Sequence, residues 1–179
     1  MRHSGRWYLE QIRAILILPF TVTVVIPLLL WIAFPGWGKT WNAWFLGIAL
    51  PIGAAGLVLF LRTLRLFMGI GDGTLAPWNP PRHLVVAGPY AYVRNPMLSG
   101  VFLILFAESL AVQSGAIALW LVIFFLINVL YFRWSEEPGL RRRFGDEYEE
   151  YCRNVPRFIP RLTPWIRGER GIPGDRTGT

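Results

Sequence analysis

Charged residues are scarce in this 179-residue chain, and cysteine is nearly absent. Only 16% of the residues are charged, whereas about 25% is typical of a soluble protein. Cys152 is the single cysteine, which excludes an intrachain disulfide and gives no sign of an oxidising compartment. Lysine is limited to Lys39, so the formal net charge of +7 comes almost entirely from arginine. Because the chain is also strongly apolar, we assign this excess to lipid headgroups and predict no nucleic-acid partner.

Three long stretches of the sequence contain no charged residue. Ala14 to Phe34 contains 21 residues, Thr40 to Leu61 contains 22 and Ser109 to Phe132 contains 24. Uncharged apolar stretches of about 18 or more residues are candidates for transmembrane helices. A hydrophobic content of 54%, with nine tryptophans, also excludes a disordered protein. The sequence therefore predicts an integral membrane protein whose first partner is the lipid bilayer.

The apolar region between Arg94 and Arg133 is long enough to cross a membrane twice. It has 38 residues and one charge, Glu108, and as a helix it would extend about 57 Å. Because one crossing needs about 30 Å, we predict a tight helical hairpin with its turn at residues 113–115. The predicted fold class is an all-α integral membrane protein with four transmembrane helices, over residues 12–34, 44–68, 96–112 and 116–133.

Small residues in the second predicted span favour close packing against another helix. Small side chains allow two helix backbones to approach in a membrane. The predicted small-residue face consists of Gly47, Gly53, Ala54 and Gly56.

Basic residues lie on one side of the predicted bundle. Arg62 and Arg65 precede the loop of residues 69–96, and ten arginines follow from Arg133 onward. The first connection holds only Lys39, and the hairpin turn holds no basic residue. By the positive-inside rule, this multi-pass chain has both termini and the loop on the cytoplasmic side.

Apolar residues recur at helical spacing after the hairpin. Leu140, Phe144, Tyr148 and Tyr151 predict an amphipathic cytoplasmic helix over residues 139–154. A helix that simply rests on the headgroups is the plainest interpretation. Residues 167–179 are rich in Gly, Pro and charge, which predicts a flexible tail after a single domain of residues 1–166.

The hairpin returns the chain to the cytoplasmic side, where two polar segments should meet. Guanidinium, amide and carboxylate groups would then form a pocket that can pair with both charges of a zwitterion. The alternative is a set of interfacial charges that binds no ligand. No metal site is predicted. One segment supplies Tyr90, Tyr92, Arg94 and Asn95, and the other supplies Arg133, Glu136 and Glu137.

Two blocks of the sequence resemble a known membrane family. The stretch GPYAYVRNPMLSG, Gly88 to Gly100, is similar to the pattern G-P-Y-x-x-x-R-H-P-x-Y-x-G. The stretch from Tyr131 to Pro160 is similar to a glutamate pair followed by L-x-x-x-F-G-x-E-Y-x-x-Y-x-x-x-V-P-R. These blocks are typical of the membrane methyltransferases that include isoprenylcysteine carboxyl methyltransferases and phospholipid N-methyltransferases.

The resemblance implies methyl transfer from S-adenosyl-L-methionine to a lipid-like or prenylated acceptor, with a cytoplasmic active site. The acceptor would be an isoprenylcysteine-type carboxylate or an amine-headed phospholipid. The loop of residues 69–96 would be a cofactor loop, in which Gly71 and Gly73 stand for a Gly-x-Gly element or form a plain turn. Arg94 and Glu137 would be the catalytic residues. The cofactor-binding residues implied by the family are Gly71, Gly73, Gly88, Pro89, Tyr90, Tyr92, Arg94, Asn95, Pro96, Glu136 and Glu137.

Two positions depart from the family pattern. Asn95 replaces a histidine, so it keeps hydrogen-bonding capacity but cannot titrate near neutral pH. Leu98 replaces a tyrosine and removes a hydroxyl group. Both departures leave the acceptor open, so a small thiol or another hydrophobic metabolite stays an alternative. A non-catalytic membrane scaffold that retains the family fold is the alternative from another functional class.

Overall fold

The computed structural model describes residues 16–35, 42–70 and 83–166. Within these ranges the regular elements are all helical. The first four residues of the first predicted span, residues 12–15, lie outside the described residues, as do residues 71–82 of the loop and the tail from residue 167. The helices are α1, with a π-helical part (Leu16–Val25) and an α-helical part (Ile26–Ala33), then α2 (Ala43–Ile70), α3 (Pro96–Ala111), α4 (Gly115–Tyr131) and α5 (Glu137–Asn154).

Among the described residues, two helices are long and apolar enough to cross a membrane. One is α2, and the other is the helical run Gly115–Asn154, whose apolar part is α4 and which is kinked at Gly145. Only 17% of the most apolar window of each is buried inside the protein, so most of this surface faces outward, as expected for contact with lipid. The two other apolar helices, Leu18–Ala33 and Pro96–Ala111, are shorter. The prediction of an all-α membrane protein therefore agrees with the structure, and the count of four crossings stays a prediction.

Helices α2 and α3 approach closely at two glycines. A Cβ atom on Gly56 would lie 2.8 Å from the Leu103 Cβ atom and 2.9 Å from the Gly100 carbonyl oxygen. A Cβ atom on Gly100 would lie 2.9 Å from the Gly56 carbonyl oxygen. One turn from Gly56, Gly53 faces Ala107, and a Cβ atom on Gly53 would lie 3.2 Å from the Ala107 Cβ atom. The bundle core of Phe60, Leu64, Val101 and Leu105 adjoins this contact.

The predicted small-residue face is therefore right at two positions and wrong at two. Gly53 and Gly56 face α3, as expected. A Cβ atom on Gly47 would have no neighbour within 4 Å, and Ala54 is exposed. Both lie outside the contact with α3, since that contact occupies one side of α2.

The hairpin turn between α3 and α4 lies where the sequence predicts it. Gln113 adopts a positive φ of 51°, and the Ser114 side chain caps α4 by accepting a hydrogen bond from the Ile117 amide. The Gln113 side chain also exchanges two hydrogen bonds with the backbone of Asn42, of 3.1 and 2.9 Å. The turn is thereby tied to the start of α2 at this end of the bundle.

Helix α5 begins at Glu137 rather than Gly139, and it is kinked at Gly145, whose φ of 52° and ψ of −129° are not helical, so one unbroken amphipathic helix over residues 139–154 is not confirmed. Pro138 occupies its first turn, where the missing N–H group costs nothing, and a π-helical turn, Phe132–Glu136, joins it to α4 without a break. Its apolar side does not simply rest on headgroups. Tyr148 and Tyr151 pack into a second core with Val155, and Leu84, Val86, Leu140, Phe144, Cys152 and Trp165 pack against it.

The α2–α3 contact gives a first prediction. Gly56→Ala should destabilise the protein by about 1–3 kcal/mol, because the added methyl group must displace α3 or Leu103. Gly47→Ala is the matched control and should leave stability unchanged or slightly raised, since the site is open. Thermal unfolding in detergent measures both variants. Equal midpoints for the two variants would contradict the close approach.

Candidate functional site

The C-terminal residues 155–166, which we name the strap, lie along the loop that precedes α3. The Arg94 amide donates to the Pro156 carbonyl (2.9 Å), and the Arg161 amide donates to the Tyr92 carbonyl (3.0 Å). The Trp165 amide donates to the carbonyl of Ala91 at 2.9 Å. Three backbone hydrogen bonds thus hold the strap against residues 91–94.

The loop itself is shaped by a glycine and a proline. Gly88 has a positive φ of 58°, and a Cβ atom there would lie 2.8 Å from the Leu66 Cδ1 atom. Pro89 follows it in the first turn of a 3₁₀ helix, Gly88–Ala91. The Tyr151 hydroxyl donates to the Tyr90 carbonyl at 2.7 Å, which fixes the loop to α5. These two predicted cofactor residues, Gly88 and Pro89, therefore set the path of the backbone.

The centre of the site is the Glu137 carboxylate, held between two arginines. Arg94 Nη1 donates to Glu137 Oε1 at 3.1 Å. Arg157 Nε donates to the same oxygen at 2.8 Å, and Arg157 Nη2 donates to Oε2 at 2.6 Å. These hydrogen bonds are charge-assisted, because they join guanidinium groups to a carboxylate. The Glu137 side chain is only 11% exposed, so they are also shielded from water. We call these three side chains the Glu137 clamp.

The clamp confirms the predicted meeting of the two polar segments, because Arg94 and Glu137 are in direct contact. It also joins the strap to them through Arg157, which sequence reasoning missed. The available signal was its position in the Val155-Pro156-Arg157 ending of the second block. That position alone does not predict a role for Arg157, since nothing in the spacing shows which carboxylate its side chain binds.

Glu136 lies beside the clamp in a different electrostatic position. It is half-buried, and it makes no hydrogen bond or ion pair with any residue that the structure describes. Burial raises the pKa of its carboxyl group to about 7, and the neighbouring Glu137 charge adds to the rise. The adjacent glutamates therefore differ: Glu137 has two cationic partners, and the charged form of Glu136 has none among the described residues.

Tyr90 lies within electrostatic range of Glu136. Burial raises the pKa of the Tyr90 phenol above its ordinary value, with smaller contributions from Tyr151 and Glu136. The phenol therefore stays neutral at physiological pH and keeps its O–H group as a hydrogen-bond donor. Tyr90 and Glu136 together present a donor and an uncompensated carboxylate near the clamp.

A polar cleft of about 380 Å³ opens beside the clamp. Within it, Arg94 Nη1 also contacts the Cys152 sulfur atom. The Nε atom of Arg94 is buried and has no hydrogen-bond partner among the described residues. The Arg94 guanidinium thus has one buried donor that no described residue satisfies. The lining residues are Arg94, Glu137, Arg141, Glu149, Cys152, Arg153 and Arg157, of which only Arg94 and Glu137 were predicted as site residues.

The remaining predicted site residues have other positions. Asn95 precedes α3, and its carbonyl accepts from the Ser99 amide and hydroxyl, both at 3.1 Å, while its side chain forms no cap. Pro96 is fully buried in the first turn of α3. Arg133 is exposed and makes no ion pair within the described ranges. Tyr92 takes part through its backbone carbonyl, and Gly71 and Gly73 lie outside the described residues.

Comparison with known proteins gives one match. The family model described as Phospholipid methyltransferase matches residues 44–147, which include Arg94, Glu136 and Glu137 but not Arg157 or Cys152. No curated protein matches the chain, and no solved structure matches it. The matched region covers more than half of the chain.

The clamp gives a second prediction. Arg157→Ala should destabilise the protein by about 1.5–3 kcal/mol, because the buried Glu137 loses its two shortest charge-assisted hydrogen bonds. Arg153→Ala removes an arginine from the same cleft whose ion pair with Glu149 is long, at 3.9 Å, and largely exposed. That control should change stability by at most about 0.5 kcal/mol. Unfolding measurements that give both variants the same small effect would contradict the clamp.

Proposed function

The chain belongs to the phospholipid methyltransferase family, and we propose that it transfers methyl groups from S-adenosyl-L-methionine to an amphiphilic acceptor. The supporting observation is the contact of Arg94 with Glu137 at the polar cleft, both within the matched region, with Glu136 next to Glu137 in the chain. A methyltransferase of this family needs a site for a zwitterionic cofactor next to apolar surface. The cleft and the outward-facing surface of α4 provide both kinds of environment.

The charges of the site fit the amino-acid part of S-adenosyl-L-methionine. Its carboxylate needs a guanidinium donor, and both Arg94 and Arg157 line the cleft. Its ammonium needs a carboxylate that is not already neutralised. Glu136 satisfies this requirement, because its carboxyl group is desolvated and lacks a cationic partner among the described residues.

The two glutamates therefore receive different roles. We assign Glu137 to positioning, since it holds Arg94 and Arg157 in place. We assign Glu136 to the ammonium group of the cofactor. A bound ammonium would restore a favourable partner to the Glu136 carboxylate and lower its pKa. Because that contact needs the charged carboxylate, affinity for the cofactor should increase as the pH rises through about 7.

Methyl transfer depends mainly on how the protein positions the cofactor and the acceptor. When bound, the cofactor supplies an activated methyl group, and transfer needs the acceptor atom held in line with it. A carboxylate or thiolate acceptor needs no base, whereas a protonated amine must first lose a proton. We assign none of the three neighbouring groups to that proton, because Glu136 is assigned to the cofactor ammonium, Glu137 is committed to two arginines and Tyr90 is a neutral phenol. The Asn95 side chain, which cannot titrate near neutral pH, would contribute a hydrogen bond rather than proton transfer.

The membrane arrangement that accompanies this function has four crossings. In this arrangement the shorter apolar helices α1 and α3 cross beside α2 and α4. The ends of α4 and α5 that form the site then lie on the cytoplasmic side, where arginines are concentrated. The cofactor would enter the cleft from the cytoplasm, and a lipid-tailed acceptor would approach from the bilayer along α4. This acceptor is an amine-headed phospholipid or an isoprenylcysteine-type carboxylate.

A methyl-transfer assay tests the proposal. The purified protein in lipid vesicles receives S-adenosyl-L-methionine labelled on the methyl group, with an amine-headed phospholipid, a prenylated cysteine or a soluble untailed thiol as acceptor. We expect label in a tailed acceptor and a loss of at least about tenfold with Glu136→Gln, since one charged contact is worth about 1.5–3 kcal/mol.

Asp146→Asn provides the matched control, because it removes an exposed carboxylate from α5. It should retain the activity of the unmodified protein. Label in the soluble thiol alone would contradict the amphiphilic acceptor. No transfer to any acceptor by a folded protein that binds no cofactor would favour the membrane scaffold instead.

A further inference from the structure

The strap carries apolar side chains that the described protein does not cover. Ile159 is 80% exposed and Leu162 is 100% exposed. They are not on a loose segment, because hydrogen bonds at Pro156, Arg161 and Trp165 hold the strap on both sides of them. Holding large aliphatic side chains rigidly in water is unfavourable, at about 25 cal/mol per Å² of apolar surface.

The strap also reaches the apolar part of the bundle. The Phe158 ring packs against the Phe125 ring of α4 with centroids 5.3 Å apart, and Phe125 in turn packs against Phe102 of α3 at 5.3 Å. Phe125 lies six residues before Tyr131, the last residue of α4, which is about 9 Å along the helix. Phe158 is therefore level with the apolar surface of α4, below its cytoplasmic end.

The surface of α4 around this contact faces outward. Leu126 is 54% exposed and Leu130 is 45% exposed. On the π-helical turn that follows, Trp134 is 71% exposed, beside the exposed Arg133. An exposed tryptophan next to an arginine at the end of an apolar helix is typical of the boundary between headgroups and acyl chains. Ile159 and Leu162 follow Phe158 in the strap by one and four residues, and Phe158 contacts this helix.

We propose that the strap is a membrane-inserted segment: Ile159 and Leu162 enter the bilayer at the boundary between headgroups and acyl chains. The occupant of this surface is phospholipid. The consequence for the site is direct, because Arg157 of the clamp immediately precedes Phe158 in the strap. Lipid contact with the strap would add to the hydrogen bonds that hold Arg157 against Glu137. This inference does not depend on the reaction that the site performs.

Photocrosslinking in a bilayer tests the proposal. The photoreactive residue p-benzoylphenylalanine is placed at Leu162 in the full chain, which is reconstituted in vesicles of phosphatidylcholine and phosphatidylglycerol. Position 146 on α5, where Asp146 is exposed, is the negative control. Position 127, where Ile127 of α4 is 52% exposed, is the positive control. Placement at Ile159 repeats the test if the first variant fails to fold.

After illumination, we expect the intact mass of the variant at position 162 to increase by one phospholipid, as at position 127 but not at position 146. An adduct at position 127 with none at 162 would overturn the proposal. Equal lipid adducts at positions 146 and 162 would overturn it as well, because the reaction would then be unselective. A covalent dimer through position 162 in place of the lipid adduct would also overturn it, because a second copy of the chain would then cover the strap.

Discussion

The Glu137 clamp is the interaction on which the site depends, because it joins three segments that no single helix could bring together. Arg94 comes from the loop before α3, Glu137 from the start of α5 and Arg157 from the strap. Position 157 favours arginine over lysine, because the Arg157 guanidinium binds both oxygens of the Glu137 carboxylate and a lysine ammonium cannot reproduce that fork. With the clamp formed, the strap lies against residues 91–94, and Arg157 of the clamp lines the polar cleft.

The clamp also explains why adjacent glutamates can serve different purposes. One carboxylate between two guanidinium groups leaves the trio with a net positive charge, which suits a ligand carboxylate. The Glu136 carboxylate is desolvated and repelled by the Glu137 charge, so its pKa rises to about 7. A cationic ligand would therefore stabilise the charged form of Glu136 more than that of Glu137. In our proposal, a zwitterion would meet both of its partners at two consecutive glutamates and one arginine. The chain belongs to a methyltransferase family, and we propose that its methyl donor is a zwitterion of this kind.

Sequence reasoning reached the helices and the meeting of the segment that holds Arg94 with the segment that holds Glu137, because uncharged stretches and the hairpin length constrain both. It erred at Gly47 and Ala54, since four small residues do not reveal which side of a helix meets a neighbour. It missed Arg157, Cys152 and the strap, because backbone pairing of irregular segments leaves no periodic pattern. It also could not separate Glu136 from Glu137, as their difference arises from the position of Arg157 in space rather than from their order in the chain.

The most direct measurement is the binding of two ligands to the unmodified protein and to the Glu136→Gln variant by calorimetry. S-adenosylhomocysteine carries the α-ammonium group, whereas 5′-methylthioadenosine lacks the amino-acid part. If Glu136 binds the ammonium, the variant should lose about 10- to 100-fold in affinity for the first ligand and keep its affinity for the second. Equal losses for both ligands, or an unchanged affinity for S-adenosylhomocysteine, would contradict the assignment of the cofactor site to the carboxylate beside the clamp.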